Sequence, residues 1–282
     1  MAPTQYRPLT RNLRIWFLID CLLLALSGIQ LFILSDYTDR YFAWTIMPPL
    51  TAAFLGASYL GSLPLIFLSS RRKFWAGARL AVFGVLVFTI VTLIATLLHL
   101  DRFHLSSPEP LARFAAWVWL LIYVLVPLSL IVLTIQQLRI PGIDPPRTAP
   151  LAGWFRIALA AQAAIMLALG TILFLFPLAI PWPWTLTPLT GRAVAAWLIG
   201  IGVIVAHMVW ENDYGRIRNG LLSYALVAAL QFLALARYAS TLNWSHPSTI
   251  IYIFFLAGML VAGVVGIVLA KEDSSDIAPL NI

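Results

Sequence analysis

The chain has 282 residues, of which 61% are hydrophobic and only 10% are charged, and its mean hydropathy is +0.92. Soluble globular domains carry about 25% charged residues, so this composition excludes a soluble domain and is typical of a chain that resides in a lipid bilayer. The formal net charge of +7 does not indicate nucleic-acid binding, because the basic residues lie at the ends of apolar runs and form no patch. We therefore expect the lipid bilayer as a partner and no nucleic acid.

Eight apolar runs are long enough to cross a hydrocarbon core, which takes about 17–25 helical residues. In chain order they are 15–34, 46–69, 77–99, 114–136, 155–178, 193–210, 220–236 and 249–270. The first run is longer than the roughly 7–15 apolar residues of a signal peptide and no cleavage site of small residues follows it, so we predict a retained span. The runs lack alternating polar residues, which predicts helices and not the strands of a barrel.

The lysines and arginines divide unevenly between alternate loops. If the amino terminus is cytoplasmic, 13 of the 18 basic residues lie on the cytoplasmic side. This positive-inside bias predicts that both termini are cytoplasmic, in a plasma or inner membrane. Tryptophans near the ends of the runs predict two interfacial aromatic belts. The outer belt would contain Trp44, Trp117, Trp182, Trp184 and Trp244, and the inner belt Trp16, Trp75, Trp154 and Trp210.

One short sequence occurs in both halves of the chain. Residues 44–51 read W-T-I-M-P-P-L-T, and residues 184–190 read W-T-L-T-P-L-T. The matches extend to arginines near helix starts, with Arg79 in the first half corresponding to Arg218 in the second. Four helices per half bring the second half into the membrane from the same side as the first. The sequence thus predicts eight transmembrane helices as two parallel four-helix repeats, related by a pseudo-two-fold axis along the membrane normal.

The predicted domain boundaries follow from this duplication. The first four-helix repeat covers 1–136, a proline-rich cytoplasmic linker covers 137–154, and the second repeat covers 155–282. The linker holds four prolines, which cannot continue a helix and stiffen the connection. We expect each half to form a four-helix bundle, and the groove between the halves is the natural place for a ligand.

Asp20 is the candidate site residue that the sequence marks most clearly. A carboxylate inside a membrane span is unfavourable and faces a partner or a cavity. Its counterpart in the second repeat is Gln162, and Arg79 and Arg218 are expected at a similar depth. One interpretation is a ligand-binding cluster of these four residues that binds an anion or relays a proton. The other interpretation is structural, an Asp20–Arg79 ion pair that fixes the first helix to the third.

His207 and Glu211 are four residues apart and share one helix face, so they are weak candidates for a metal site. The sequence supplies no third ligand, and a helix end that reaches water explains both residues equally well. We therefore predict no metal and no other cofactor. The sequence also lacks phosphate-binding glycine loops and the nucleophile or zinc motifs of hydrolases, so we assign no catalytic residue and do not expect an enzyme.

Three classes of function remain open. The first is a carrier or channel for a small solute or ion, with its site between the two repeats. The second is a non-catalytic scaffold or subunit whose partner is another membrane protein or a second copy of the chain. The third is a redox or lipid-modifying protein, which needs a catalytic constellation that the sequence does not reveal. We expect a carrier, with the scaffold as the alternative.

Overall fold

The computed structural model describes residues 5–270 and is all-α over that range, without β-strands. It contains eight long helices, together with one short helix, Thr38–Tyr41, and three 3-10 turns. The long helices are α1 (Arg11–Ile33), α2 (Pro49–Ser70), α3 (Trp75–Leu98), α4 (Pro110–Leu138), α5 (Gly153–Leu175), α6 (Pro188–Glu211), α7 (Tyr214–Arg237) and α8 (Pro247–Leu269). All eight are long and apolar enough to cross a membrane, as predicted for a helical membrane protein.

The helices extend further than the apolar runs at several ends. α1 begins at Arg11 and not at residue 15, and α7 begins at Tyr214 and not at residue 220. The helical hydrogen bonds continue through polar residues at the membrane surface, where hydropathy no longer registers a span. The even-numbered helices all begin with a proline, at Pro49, Pro110, Pro188 and Pro247. Proline suits this first position because its φ is already helical and its missing N–H has no helical partner to lose.

The loops collect on two faces of the molecule. On one face, the segment that precedes α1 pairs with the central loop, where Arg7 N donates to Ile143 O at 2.9 Å. On the other face, Arg237 at the end of α7 forms an ion pair of 3.0 Å with Asp36. We call these the amino-terminal face and the opposite face. The predicted cytoplasmic carboxyl terminus, with Lys271, lies outside the described residues.

Four helices form the centre of the structure. In α2, α3, α6 and α7 half or more of the spanning residues are buried, against a third or less in α1, α4, α5 and α8. α2 packs against α1 and α7, whereas α6 packs against α5 and α3. Small residues allow these helices to approach closely. A Cβ atom added at Gly61 of α2 would lie only 2.6 Å from the Cα of Val227 in α7.

The tryptophans predicted to form interfacial belts, apart from the half-buried Trp182, separate into two groups. Trp117, Trp154, Trp210 and Trp244 are more than half exposed, as interfacial residues should be. Trp16, Trp44, Trp75 and Trp184 are buried and pack between helices instead. The Trp184 indole nitrogen donates to Thr51 Oγ1 at 2.9 Å, so the second copy of the recurring sequence contacts the last residue of the first copy.

Candidate functional site

A cavity of about 60 Å³ lies within the helices, bounded by α1, α2, α3, α4 and α6. We call it the Asp20 cavity. Its lining includes Asp20, Tyr59, Phe88, Trp119, Tyr123 and Trp197. A space of about 10–15 Å³ by this measure holds one water, so the cavity has room for a small ion with a few waters.

Asp20 supplies the only carboxylate among the residues that line this cavity. It is the tenth of the 23 residues of α1, which places it roughly 14 Å along the helix axis, near the middle of the helix. Its side chain is only 6% exposed, and its Oδ2 atom has no hydrogen-bond partner among residues 5–270. Burying a charged group without a partner is unfavourable, so this carboxylate is incompletely satisfied by the protein alone.

Aromatic side chains form much of the remaining wall. The Tyr59 and Tyr123 hydroxyls are hydrogen-bonded to each other. Trp119 lies against Tyr123 with ring centroids 4.3 Å apart, and Phe88 lies against Trp197 with centroids 4.2 Å apart. None of the lining residues carries a positive charge. An acidic group surrounded by electron-rich ring faces is an environment that favours a cation.

Arg79 lies in a separate group of charged residues at the amino-terminal face. Its guanidinium binds the Glu211 carboxylate through two nitrogens, with Nη2 donating to Oε2 at 2.9 Å. Arg216 Nη1 donates to the same oxygen at 2.9 Å, and Arg79 Nη1 donates to Asp144 Oδ2 at 2.6 Å. We call these four residues, with His207, the Glu211 cluster. Glu211 is completely buried, and two arginines compensate its charge.

The Glu211 cluster fixes the central loop to the helices. Arg216 also donates to the carbonyl oxygen of Pro145, which follows Asp144 in the loop. Asp213, the N-cap of α7, accepts hydrogen bonds from the backbone nitrogens of Thr148 and Ala149 at 2.8 and 3.0 Å. The cluster and the N-cap together join α3, α6, α7 and the loop at one end of the protein.

The structure separates the four residues that the sequence grouped as a ligand-binding cluster. Asp20 alone lines the Asp20 cavity, whereas Arg79 binds Glu211 and Asp144. Gln162 accepts a hydrogen bond of 2.6 Å from the Tyr224 hydroxyl in the second half of the chain. Arg218 lies in the second turn of α7 and is half-buried. The structural alternative of an Asp20–Arg79 pair is wrong because both carboxylate partners of Arg79 lie elsewhere.

The weak metal candidates His207 and Glu211 are close together, with Nε2 and Oε1 3.3 Å apart. Both Glu211 oxygens already accept from arginines, which would repel a metal ion at this position. In the described part of the chain, no group of three or more histidine, cysteine or acidic side chains is arranged to hold a metal.

Sequence reasoning missed the aromatic wall of the cavity and the pairing of Arg79 with Glu211. Trp197 and Tyr123 read as ordinary apolar residues because nothing local indicates which helices meet around them. The pairing of Arg79 with Glu211, in contrast, could have been found from the sequence. A buried glutamate at the end of α6 needs a cation, and the predicted topology already placed Arg79 on the same side of the membrane.

Comparisons of the chain with protein-family models, curated proteins and solved structures return no match. The geometry of the Asp20 cavity and the Glu211 cluster is therefore the basis for assigning a function.

Proposed function

We propose that this protein is a membrane carrier for a small cation and that the Asp20 cavity is its binding site. The observation that supports this function is the buried Asp20 carboxylate, which faces the cavity with one oxygen unpartnered. Retaining such a group at mid-membrane is unfavourable for stability, so a functional role is the usual reason for its presence. A bound cation or a proton would neutralise it.

The lining of the cavity favours a cation over the anion that the sequence had also allowed. Binding an anion would need a basic side chain, and the residues around the cavity supply none. The aromatic faces of Phe88 and Trp197 and the carboxylate of Asp20 attract positive charge together. Water can enter a cavity of about 60 Å³, and the hydroxyls of Tyr59 and Tyr123 can hydrogen-bond to it.

The Glu211 cluster fits the role of a gate on one side of this site. Arg79 precedes the cavity-lining Gly84 by five residues in α3, and Glu211 follows the cavity-lining Ile204 by seven in α6. These separations put the cluster roughly 8–10 Å from the cavity toward the amino-terminal face. Opening this end would require the buried ion pairs to part, which gives a carrier two distinct states.

We propose further that the chain consists of the two parallel four-helix repeats predicted above, with both termini cytoplasmic. The helix contacts support the repeats because the same pairs of helices are in contact when the two halves are exchanged, with α1–α4 taking the places of α5–α8 and the reverse. The contact of α1 with α2 corresponds to that of α5 with α6, and the contact of α2 with α7 corresponds to that of α6 with α3. On this view Asp20 and Gln162 are equivalent positions, one charged at a cavity and the other neutral and hydrogen-bonded.

Charge displacement in proteoliposomes on a solid-supported membrane tests the proposed function. The probes are concentration jumps of ammonium, methylammonium, sodium, potassium and protons. We expect wild-type protein to displace charge with at least one of them and Asp20→Asn to displace none. The matched control is Asp36→Asn, the same substitution at an exposed carboxylate on the opposite face, which should keep the signal.

Two results would contradict the carrier proposal. One is the absence of any displacement by wild-type protein with all five probes. The other is an Asp20→Asn signal equal to that of the wild type. Either result favours the scaffold alternative, in which Asp20 is dispensable and another membrane protein or a second copy is the partner.

A further inference from the structure

A second space adjoins the Asp20 cavity. It is a groove of about 330 Å³ between α1 and α4, in the half of the molecule that is nearer the opposite face. Its floor is formed by the buried side chains of Phe42 and Trp119, and its edges by the exposed side chains of Leu26, Leu111 and Phe114. We call it the α1–α4 groove. Because its edge residues lie on the lipid-facing surface, the groove opens toward the bilayer.

α1 and α4 contact each other only sparsely. Near the amino-terminal face they are joined by the Trp16 indole nitrogen, which donates to Ser129 Oγ at 3.0 Å. Toward the opposite face, residues of both helices line the groove. No comparable hydrogen bond joins their distal halves among residues 5–270, so the two helices leave a lateral opening.

The groove and the Asp20 cavity are adjacent. Four residues line both spaces: Leu23 and Ser27 of α1, and Trp119 and Ile122 of α4. Asp20 lies one turn from Leu23 along α1 and lines the cavity but not the groove. The two spaces therefore share a wall, and a molecule that occupies the groove lies next to the cavity that contains the carboxylate.

We propose that the cargo is an amphiphilic monocation that enters from the bilayer, with its ammonium group at Asp20 and its apolar tail in the α1–α4 groove. This inference rests on the proposed cation-carrier function and specifies its substrate class. One carboxylate matches one positive charge. The tail would contact groove residues that are otherwise covered only by lipid, among them Val118 and Ile122.

The polar groups that line the cavity and the groove select against other amphiphiles. A phospholipid headgroup carries a phosphate, which needs a basic side chain or an array of N–H donors. The described lining of the cavity and the groove contains no lysine, arginine or histidine. Fatty acids would place a second carboxylate beside Asp20, where like charges repel. A single amine on an apolar body is the chemistry that the cavity and the adjacent groove together match.

Native mass spectrometry of purified protein at fixed detergent and amine concentrations tests this inference. The probes are methylammonium, which reaches only the cavity, octylammonium, which also needs the groove, and octanol, which has the tail without the charge. Ala115 lines the groove but not the cavity, so Ala115→Trp fills the groove alone. The control is Ala168→Trp at an exposed position of α5.

We expect wild-type protein to bind both amines and no octanol. Ala115→Trp should bind methylammonium normally and octylammonium about tenfold more weakly, equivalent to the loss of contact with about two methylene groups. Ala168→Trp should match the wild type, and Asp20→Asn should lose both amines. A loss of methylammonium binding in Ala115→Trp would show a misfolded variant, and Val118→Trp then provides the second groove-filling test.

The outcomes separate this inference from the function on which it rests. If octylammonium binds Ala115→Trp as tightly as wild type, the groove does not hold the tail, and only the amphiphile inference is overturned. If wild-type protein binds neither amine, or if Asp20→Asn binds both as wild type does, the cation site itself is overturned. Octanol binding that matches octylammonium would overturn the assignment of a charged head to Asp20.

Discussion

Removing the Glu211 carboxylate should destabilise the protein more than removing any exposed acidic group. Glu211 is fully buried, and its two oxygens accept hydrogen bonds from Arg79 and Arg216. Glu211→Ala leaves two buried guanidinium groups without their main counter-charge. Breaking a buried ion pair from one side costs about 3–5 kcal/mol, so we expect the free energy of unfolding to fall by that amount.

The matched comparison is Asp36→Ala, which removes the exposed Asp36–Arg237 pair on the opposite face. Exposed pairs contribute about 0–1 kcal/mol because water and salt already screen them. Reversible unfolding in mixed micelles of a mild detergent and dodecyl sulfate measures both free energies under one condition. If Glu211→Ala lowers the free energy no more than Asp36→Ala does, the Glu211 cluster does not hold the amino-terminal face together as argued.

Two further predictions concern packing and pH. Gly61→Ala should lower the free energy of unfolding by about 1–3 kcal/mol, because its Cβ would meet the backbone of Val227. The control variant Gly153→Ala has open space around its Cβ and should not lower the free energy of unfolding. Equal effects of the two substitutions in the same unfolding assay would refute the close α2–α7 contact. His99 follows α3, and its pKa is held below the ordinary 6.5 by burial and then by Arg192, whose Nη1 lies 2.7 Å from its Nε2. As the pH falls, His99 is therefore protonated in the unfolded chain at a higher pH than in the folded chain. The stability contributed by neutral His99 is lost as the pH falls through 6.5. The advantage of wild type over His99→Gln in free energy of unfolding should shrink between about pH 8 and about pH 5, and a constant difference would contradict this assignment.

The sequence predicts the eight helices well because each depends on local composition. An apolar run of sufficient length has to form a helix in a bilayer, and prolines such as Pro188 mark where helices begin. Some predicted helix ends differ from those in the structure, as at Arg11 of α1, because polar residues continue a helix beyond the hydrocarbon. Trp44 and Trp184 were assigned to the interface because position along a helix does not reveal which neighbours cover a side chain.

The candidate site was only partly predictable for the same reason. Asp20 stands out because a carboxylate within an apolar run is unfavourable wherever the helix lies. Its surroundings depend on which helices are neighbours, and Arg79 and Glu211 are 132 residues apart in the chain. The sequence interpretation placed Arg79 beside Asp20 by assuming that the first and third helices pack together. In the structure α1 packs mainly against α2, and Arg79 of α3 binds Glu211 of α6.

The central claim is that Asp20 is retained to bind a cation and not to hold the fold together. Unfolding free energies of wild type and Asp20→Asn, each with and without methylammonium, test it most directly. We predict that Asp20→Asn is at least as stable as wild type without the amine, because it no longer buries an unpartnered carboxylate. Methylammonium at 100 times its dissociation constant should then stabilise only the wild type, by about 2.7 kcal/mol. The claim would be contradicted if Asp20→Asn is less stable than wild type and methylammonium stabilises both proteins equally or neither of them. Asp20 would then be a structural residue.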